Sequence, residues 1–462
     1  MTEQQAVRTN LNIAYIGGGS RGWAWGLMSD LASEPTMSGI VKLYDINQQA
    51  AEDNAAIGNS IYDRDEVKGK WKYEAVPSLE QALQDADFII ISILPGSFAE
   101  MYSDVHLPEE YGIYQSVGDT VGPGGHVRAL RTIPIYAELA EHIKQHAPHA
   151  WVINFTNPMT LCVRTLYEVF PGIKAIGCCH EVFGTQKLLA QMLKEMKGIE
   201  DVQHRTEINV NVMGINHFTW IDKASYKGID LLPLYAEFAD KYYREGYEEH
   251  HYGPWHENVF RSAHRIHFDL FKKFGVIAAA GDRHLAEFMP GYWYLKDRET
   301  IARWKFSITP VDLRIEKGEK LFQQSKRLVT GEEAFNLKKT GEETIAIMKA
   351  LLGIKEFVTN VNIPNQGQLG NVKHGAVVET NAYLSLNSVR PVMAGELPSQ
   401  VNSMVNRHVY NQETILRAAL TKDRELGFAA FANDPLVTIA PEQAKDLYNK
   451  MLDNTKKYAP YG

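Results

Sequence analysis

Five short stretches carry groups that could do chemistry. The first is Gly17-Gly18-Gly19-Ser20-Arg21-Gly22, in which Gly17, Gly19 and Gly22 fit GxGxxG. The first two glycines let the backbone turn tightly and approach a pyrophosphate, and the third admits a closely packed helix. Further on, Asp45 can accept hydrogen bonds from ribose hydroxyls and would repel a 2′-phosphate, which favours NAD+ over NADP+. The second stretch is a glycine-rich loop, Gly118 to Arg128, that carries Asp119. The third is Asn154-Phe155-Thr156-Asn157-Pro158. Asn154 ends an apolar run there and is a candidate cofactor contact with Gly17 to Gly22 and Asp45, and Asn157 offers both a donor and an acceptor to sugar hydroxyls. The fourth is Cys178-Cys179-His180-Glu181-Val182, and the fifth is Asn216-His217 within Gly214 to Trp220. A thiolate and an imidazole brought together could hold a divalent transition ion. Each stretch also has a plain reading: a helix cap, an Asn-Pro turn, a small buried thiol, a core histidine.

The surrounding pattern says which elements must position them. Leu11 to Ile16, Ile40 to Tyr44, Phe88 to Leu94, Ala150 to Asn154 and Ile173 to Cys178 read as strands. Helical stretches separate them: one after Gly22 to about Ala32, Asn47 to Ile61, about Val127 to His146, and about Met159 to Val169. Strands alternating with helices imply right-handed crossovers and a parallel, doubly wound sheet. The predicted class is α/β, a Rossmann domain over residues 1–200 followed by a mixed α+β domain over 201–462. In the second half, Glu207 to Met213 alternates like a half-exposed strand, and residues 231–275 read as mostly helical. Val377 to Ser385 and Ser388 to Val392 resemble strands of a mixed sheet; Gln412 to Arg424 and Pro441 to Lys456 resemble helices.

Composition narrows the classes. The chain has 462 residues, 45% hydrophobic and 23% charged, which suits a folded globular protein rather than a disordered one. A formal net charge of -8 and no basic stripe argue against a nucleic-acid partner. Residues 1–10 lack the apolar run of a secretory signal, and no stretch has the ~20 apolar residues of a membrane span. The 3 cysteines, two of them adjacent, fit reduced thiols and a cytoplasmic setting better than a disulfide framework.

Taken together and in this order, the GGGS loop, GDTVGPGG, NFTNP, the Cys-His motif and GINH resemble glycoside hydrolase family 4, the NAD- and metal-dependent glycosidases. The resemblance covers most of the chain. Cys179-His180-Glu181-Val182 is similar to the form of the motif found in α-galacturonidases, and the Asp-Thr loop to that of α-specific members. The resemblance implies a lactate/malate dehydrogenase-like arrangement and the cofactors NAD+ and Mn2+ or another divalent transition ion. It implies Cys179 and His217 as metal ligands. It also implies a route unlike the two-carboxylate scheme of most glycosidases: oxidation at C3, loss of the C2 proton, elimination of the aglycone with Asp119 as acid, addition of water, and return of the hydride.

Asp282 matches the region of the C2 base, with Tyr292 and Tyr294 as alternatives. Arg128, Arg131, Arg283 and His284 are the candidates for reading a uronate carboxylate, and His180 and Glu181 for lining the sugar pocket. The family implies a homodimer or homotetramer. α-Galactosidase, α-glucosidase and α-glucuronidase are the near alternatives. A sugar-acid or hydroxy-acid dehydrogenase is the competitor from another class, and a silent NAD-sensing protein the third.

Overall fold

The computed structural model describes residues 7–248 and 254–458. The first six residues of the polar N-terminal stretch, and residues 249–253 of the predicted helical region, lie outside them.

Apolar runs that must be covered on both faces form the centre of the main sheet. Phe88 to Ile91 is the clearest case, with all its residues buried. Six strands pair in parallel: β1 (Arg8–Ile16), β2 (Met37–Tyr44), β3 (Trp71–Ala75), β4 (Phe88–Ile91), β5 (Trp151–Asn154) and β6 (Lys174–Gly177). Their order is β3-β2-β1-β4-β5-β6, the doubly wound Rossmann order. It reverses between β1 and β4, where Ile13 to Ile16 lie opposite Phe88 to Ile91. Such a reversal opens a crevice at the carboxyl ends of the strands. The sequence reading passed over β3. Its Trp71-Lys-Tyr-Glu-Ala75 alternates buried and exposed at the sheet edge, so it lacks the continuous apolar signal of its neighbours.

A second, antiparallel sheet holds β7 (Asn209–Ile215), β8 (Phe218–Tyr226), β9 (Ile229–Asp230) and β10 (Ile277–Ala278). Three later strands, β11 (Phe357–Pro364), β12 (Val377–Ser385) and β13 (Ser388–Pro391), run antiparallel and extend the first sheet beyond β6. They cover an edge that would otherwise present unpaired backbone groups.

One helix ties the two halves together. In Gly122–His146, Val127, Leu130 and Ile133 pack in a core with Phe218 and Trp220 of β8. Further along it, Tyr136, Leu139 and Ile143 pack on Ile89 and Ile91 of β4. The loop that carries Asp119 is therefore anchored to both sheets. Among the described residues no helix is long and apolar enough to cross a membrane.

Candidate active site

The nucleotide cleft begins where β1 ends. Gly17 has φ +90°, and a Cβ there would lie 2.1 Å from the Ser92 carbonyl oxygen, so only glycine fits between β1 and β4. The Gly17 and Gly18 N–H groups both donate to the Tyr44 carbonyl at 2.9 Å, and Gly19 N–H donates to Asp45 Oδ2 at 2.9 Å. Gly22 behaves differently from expectation. A Cβ there would meet nothing within 4 Å, whereas at Gly18 and Gly19 it would press on Leu43 and Ala50. The close approach is made by the glycines of the turn rather than by the one that caps the helix. Arg21 Nε is buried without a partner among the described residues, and the guanidinium lies 4.9 Å over the Phe322 ring. Ser20 Oγ accepts from Trp23 N–H, which closes the first turn of the following helix.

Asn154, a candidate cofactor contact, has its side chain engaged within the protein. It is fully buried, its Oδ1 accepts from the Tyr136 hydroxyl, and its Nδ2 donates to the Thr156 carbonyl. It shapes the turn that presents Asn157. Asn157 Nδ2 donates to Asp119 Oδ2 at 3.2 Å, while its Oδ1 is buried and unpartnered. An orphaned acceptor here is a ready contact for a bound hydroxyl or amide.

The Asp119 loop is held from the far side of the chain. Glu287 Oε1 accepts from the N–H groups of Val117 and Gly118 at 2.7 and 2.9 Å. Arg283 donates to the Ser116 and Ser307 carbonyls, and its guanidinium lies over Phe260. Arg283 therefore latches the loop. Arg131, another expected substrate cation, is spent in a fully buried bidentate pair with Asp104. Arg128 donates to the Asn157 carbonyl at 3.0 Å and stands beside Asp119. Burial would raise the Asp119 carboxyl, but His217, Arg128, His284 and the Thr120 hydroxyl outweigh it and hold it below the usual range. Burial pushes His217 itself down to about 3 and keeps it neutral, so the standing charge beside Asp119 is Arg128.

His217 sits at the tip of the β7–β8 hairpin with φ +65°, a left-handed conformation uncommon outside glycine. Its Nδ1 lies 2.9 Å from Thr120 Oγ1, and its ring lies 3.9 Å from that of His284. Donor atoms of Asp119, His217 and His284 all lie within 4.8 Å of one another, a geometry able to hold a metal ion. Cys179, the expected partner of His217, is not in that group. Its thiol bonds to the side chain of Asn216, next in the chain to His217. Burial, with Glu379 and Glu181 nearby, raises it well above an ordinary thiol. Two donor sets can therefore be drawn around His217: Asp119 and His284, whose donor atoms lie within reach of its own, and the Cys179 thiol, held by the neighbouring Asn216.

Glu181 links this cluster to a cavity of about 350 Å³ lined by His180, Glu181, Lys187, His264, His267 and Gly281, among others. Its Oε2 accepts from Gly281 N–H at 2.6 Å, and its Oε1 lies 3.5 Å from His284 Nε2. Burial works against ionisation of Glu181, yet the three neighbouring histidines and the Gly281 N–H bring it down to about 2. His180 pairs with Glu342 at 3.2 Å and separates this cavity from a second one beside Gly22, Trp23 and Phe155.

Asp282 does not line the cavity. It is fully buried and accepts from the His267 N–H and from His267 Nδ1, the latter at 2.6 Å. His267 stands between it and the cavity. The tyrosine alternatives fare worse: Tyr292 is 64% exposed, and Tyr294 is buried with its hydroxyl on Asp269.

Comparison with known proteins gives this geometry a lineage. The family profile described as family 4 glycosyl hydrolase matches residues 12–195, and that of the family's C-terminal domain matches residues 212–437. The chain belongs to glycosyl hydrolase family 4. An α-galacturonidase of Thermoanaerobacterium saccharolyticum is 62% identical over 97% of this chain and 96% of its own length. The crystal structure of lplD from Bacillus subtilis superposes with a TM-score of 0.92 at 54% identity, covering 96% of this chain and 100% of that one. A 6-phospho-α-glucosidase from gut microorganisms, solved with NAD and Mn2+, shares the fold at a TM-score of 0.79 and 19% identity, over 98% of this chain and 99% of its own.

Several supports of the family 4 site escaped the sequence reading. Asn54 Nδ2 donates to the Gly18 and Ser20 carbonyls and clamps the glycine loop from the next helix. Glu287, His267 and Glu379, whose carboxylate accepts from Asn216 and Asn360, act from beneath the surface. A polar residue in a helix with no neighbouring motif gives no local sign of such a role. His267 alone left a hint, as a histidine among the buried residues Ile266, Phe268 and Leu270 of the amphipathic helix Arg265–Phe274.

Proposed function

We propose that this family 4 enzyme hydrolyses α-galacturonides by the NAD- and metal-dependent elimination route. The observation that carries the proposal is the 62% identity to an α-galacturonidase over nearly the full length of both chains. The residues fit the groups this chemistry needs. Gly17 to Gly19 leave no room for side chains, Arg21 Nε is unpartnered, and Asp45 stands beside the turn, as a dinucleotide cradle requires. When bound, NAD+ supplies a hydride acceptor for C3 and a divalent ion such as Mn2+ supplies Lewis acidity at the adjacent oxygens. His217 is common to both donor sets. Cys179 joins it in the reading the family supports, and Asp119 and His284 in the one the donor distances favour.

The chain's own groups divide the remaining work. Asn157 Oδ1 orients a sugar hydroxyl. Asp119 is the family's candidate acid for the departing oxygen; it is ionised beside Arg128 in the free enzyme, so it takes up its proton only once bound substrate separates it from that charge. The C2 proton goes to His267, the imidazole facing the cavity. Asp282 holds its Nδ1–H and so leaves Nε2 free to accept, which makes Asp282 the positioning partner. Lys187 reads the uronate carboxylate: it lines the cavity and makes no hydrogen bond or ion pair among the described residues, whereas Arg131 and Arg283 are already engaged. Residues 1–200 carry the cofactor and 201–462 complete the sugar site. A reducing, cytoplasmic setting suits three unpaired cysteines, and assembly as a homodimer or homotetramer follows the family.

The test is hydrolysis of p-nitrophenyl α-D-galacturonide under reducing conditions, with and without NAD+ and Mn2+, beside the neutral galactoside and the glucuronide. Turnover of the galacturonide that needs both additions and accumulates no NADH is the expected result. Turnover of only a neutral sugar would overturn the substrate, and NADH accumulating from a free sugar acid without hydrolysis would make this a dehydrogenase.

A further inference from the structure

A second cluster of metal-ligating side chains lies on the far side of the first domain. His142 and His146 are one turn apart at the carboxyl end of the helix Gly122–His146, so both project from the same face. Their rings stack with centroids 6.0 Å apart and planes 20° from parallel. Glu80, in the short helix Leu79–Leu83, brings a carboxylate oxygen to 3.3 Å from His142 Nδ1. That nitrogen is buried and makes no hydrogen bond among the described residues. One donor atom from each of the three residues lies within 4.8 Å of the other two. Glu138 lies one further turn back on the same face, and Tyr44 feels both Glu80 and Glu138 as nearby negative charge.

We propose that Glu80, His142 and His146 form a second divalent-metal site, independent of the catalytic one. Two imidazoles and one carboxylate are the donor set of open, tetrahedral zinc sites, with water as the fourth ligand. Nitrogen and oxygen donors at roughly 2.0–2.2 Å from an ion stand about 3.4 Å apart, so the donors must close by about 1.4 Å at most. The side chains of His142 and Glu80 are 26% and 46% exposed, which leaves them free to rotate by that much. Imidazole selects borderline ions such as Zn2+ and Ni2+ over Mg2+ and Ca2+. The spacing of the two histidines is set by the helix, so little order has to be imposed on binding.

The experiment uses the full chain, stripped of metal and titrated with Zn2+ against a chromophoric chelator. The double variant His142→Ala/His146→Ala should bind one equivalent fewer than the parent, and Glu80→Gln should bind that equivalent at least about tenfold more weakly. Circular dichroism and NAD+ binding should be unchanged, because all three side chains are at the surface. Because the readout is a difference of one equivalent, it holds whether or not the catalytic site takes Zn2+. Equal stoichiometry in parent and double variant would overturn the proposal.

Discussion

Glu287 offers the sharpest test of how the Asp119 loop is held. Burial, with Asp119 beside it, pushes its carboxyl from 4.5 up to about 8, against the lowering effect of the Val117 and Gly118 N–H groups. Because the folded value is raised, the fold favours the protonated form. The stability this contributes is complete below about pH 4.5, falls as pH rises, and is lost above about pH 8. A shift of this size at about 1.4 kcal/mol per pH unit corresponds to about 4–5 kcal/mol. For a chain of 462 residues, at about 2.1 cal/mol/K per residue, the unfolding entropy is about 1 kcal/mol/K, so the effect on Tm is about 4 °C. Glu287→Gln keeps an acceptor for both N–H groups but cannot ionise. Its Tm should therefore gain about 4 °C on the parent between pH 5 and pH 8, read by calorimetry at constant ionic strength. Glu287→Ala should destabilise at every pH, since two buried N–H groups lose their partner at about 1–3 kcal/mol each. Parallel Tm curves for the parent and Glu287→Gln would refute the account, because the carboxyl would then titrate alike in the folded and unfolded chain.

Three further outcomes follow from the site. Lys187→Gln should raise KM for an α-galacturonide by about 10- to 100-fold, the worth of one charged hydrogen bond, and leave neutral galactosides unaffected; equal losses on both would assign the carboxylate to another cation. Asp282→Asn should lower kcat about 10²- to 10⁴-fold with little change in KM and slow deuterium exchange at C2, because His267 loses its orienting carboxylate; unchanged exchange would remove the pair from proton transfer. Cobalt-loaded enzyme should show a thiolate charge-transfer band that Cys179→Ser abolishes, with Co2+ affinity rising with pH as the raised thiol is deprotonated; no band in the parent would leave Asp119, His217 and His284 as the ligands.

What was legible in the sequence depended on whether a signal was local. The parallel strands announced themselves because each must be apolar on both faces, and the helix Met159–Val169 fell where its periodicity put it. The glycine loop was legible with Asp45, because a turn residue and an acid at a strand end have few other reasons to recur in that register. β3 was missed because an edge strand of five residues alternates weakly. The internal partners of Asn154, Arg131 and Arg283 were not legible for a different reason. Each belongs to a motif near the site, but its side chain turns inward to brace a loop or meet Asp104. Motif membership locates a segment; it does not say which of its side chains face the cavity.

The proposed machinery is drawn from turns that follow strands of both sheets, and two of its histidines carry backbone strain. His217 has φ +65° and His264 has φ +54°, and neither has the short polar side chain that eases asparagine or aspartate into that region. Such a conformation costs about 1–3 kcal/mol and persists only when the surroundings over-determine it. At His217 the surroundings are a hairpin tip closed by the Ile215–Phe218 pair, the Thr120 hydroxyl and the His284 ring. At His264, which caps the helix bearing His267, Nδ1 is buried without a partner, and burial pushes the imidazole down to about 4. Glycine or asparagine would relieve both positions and supply no imidazole. Histidine stands at each, one against the candidate metal donors and one on the cavity wall, so in both places the strained backbone aims an imidazole at the proposed site.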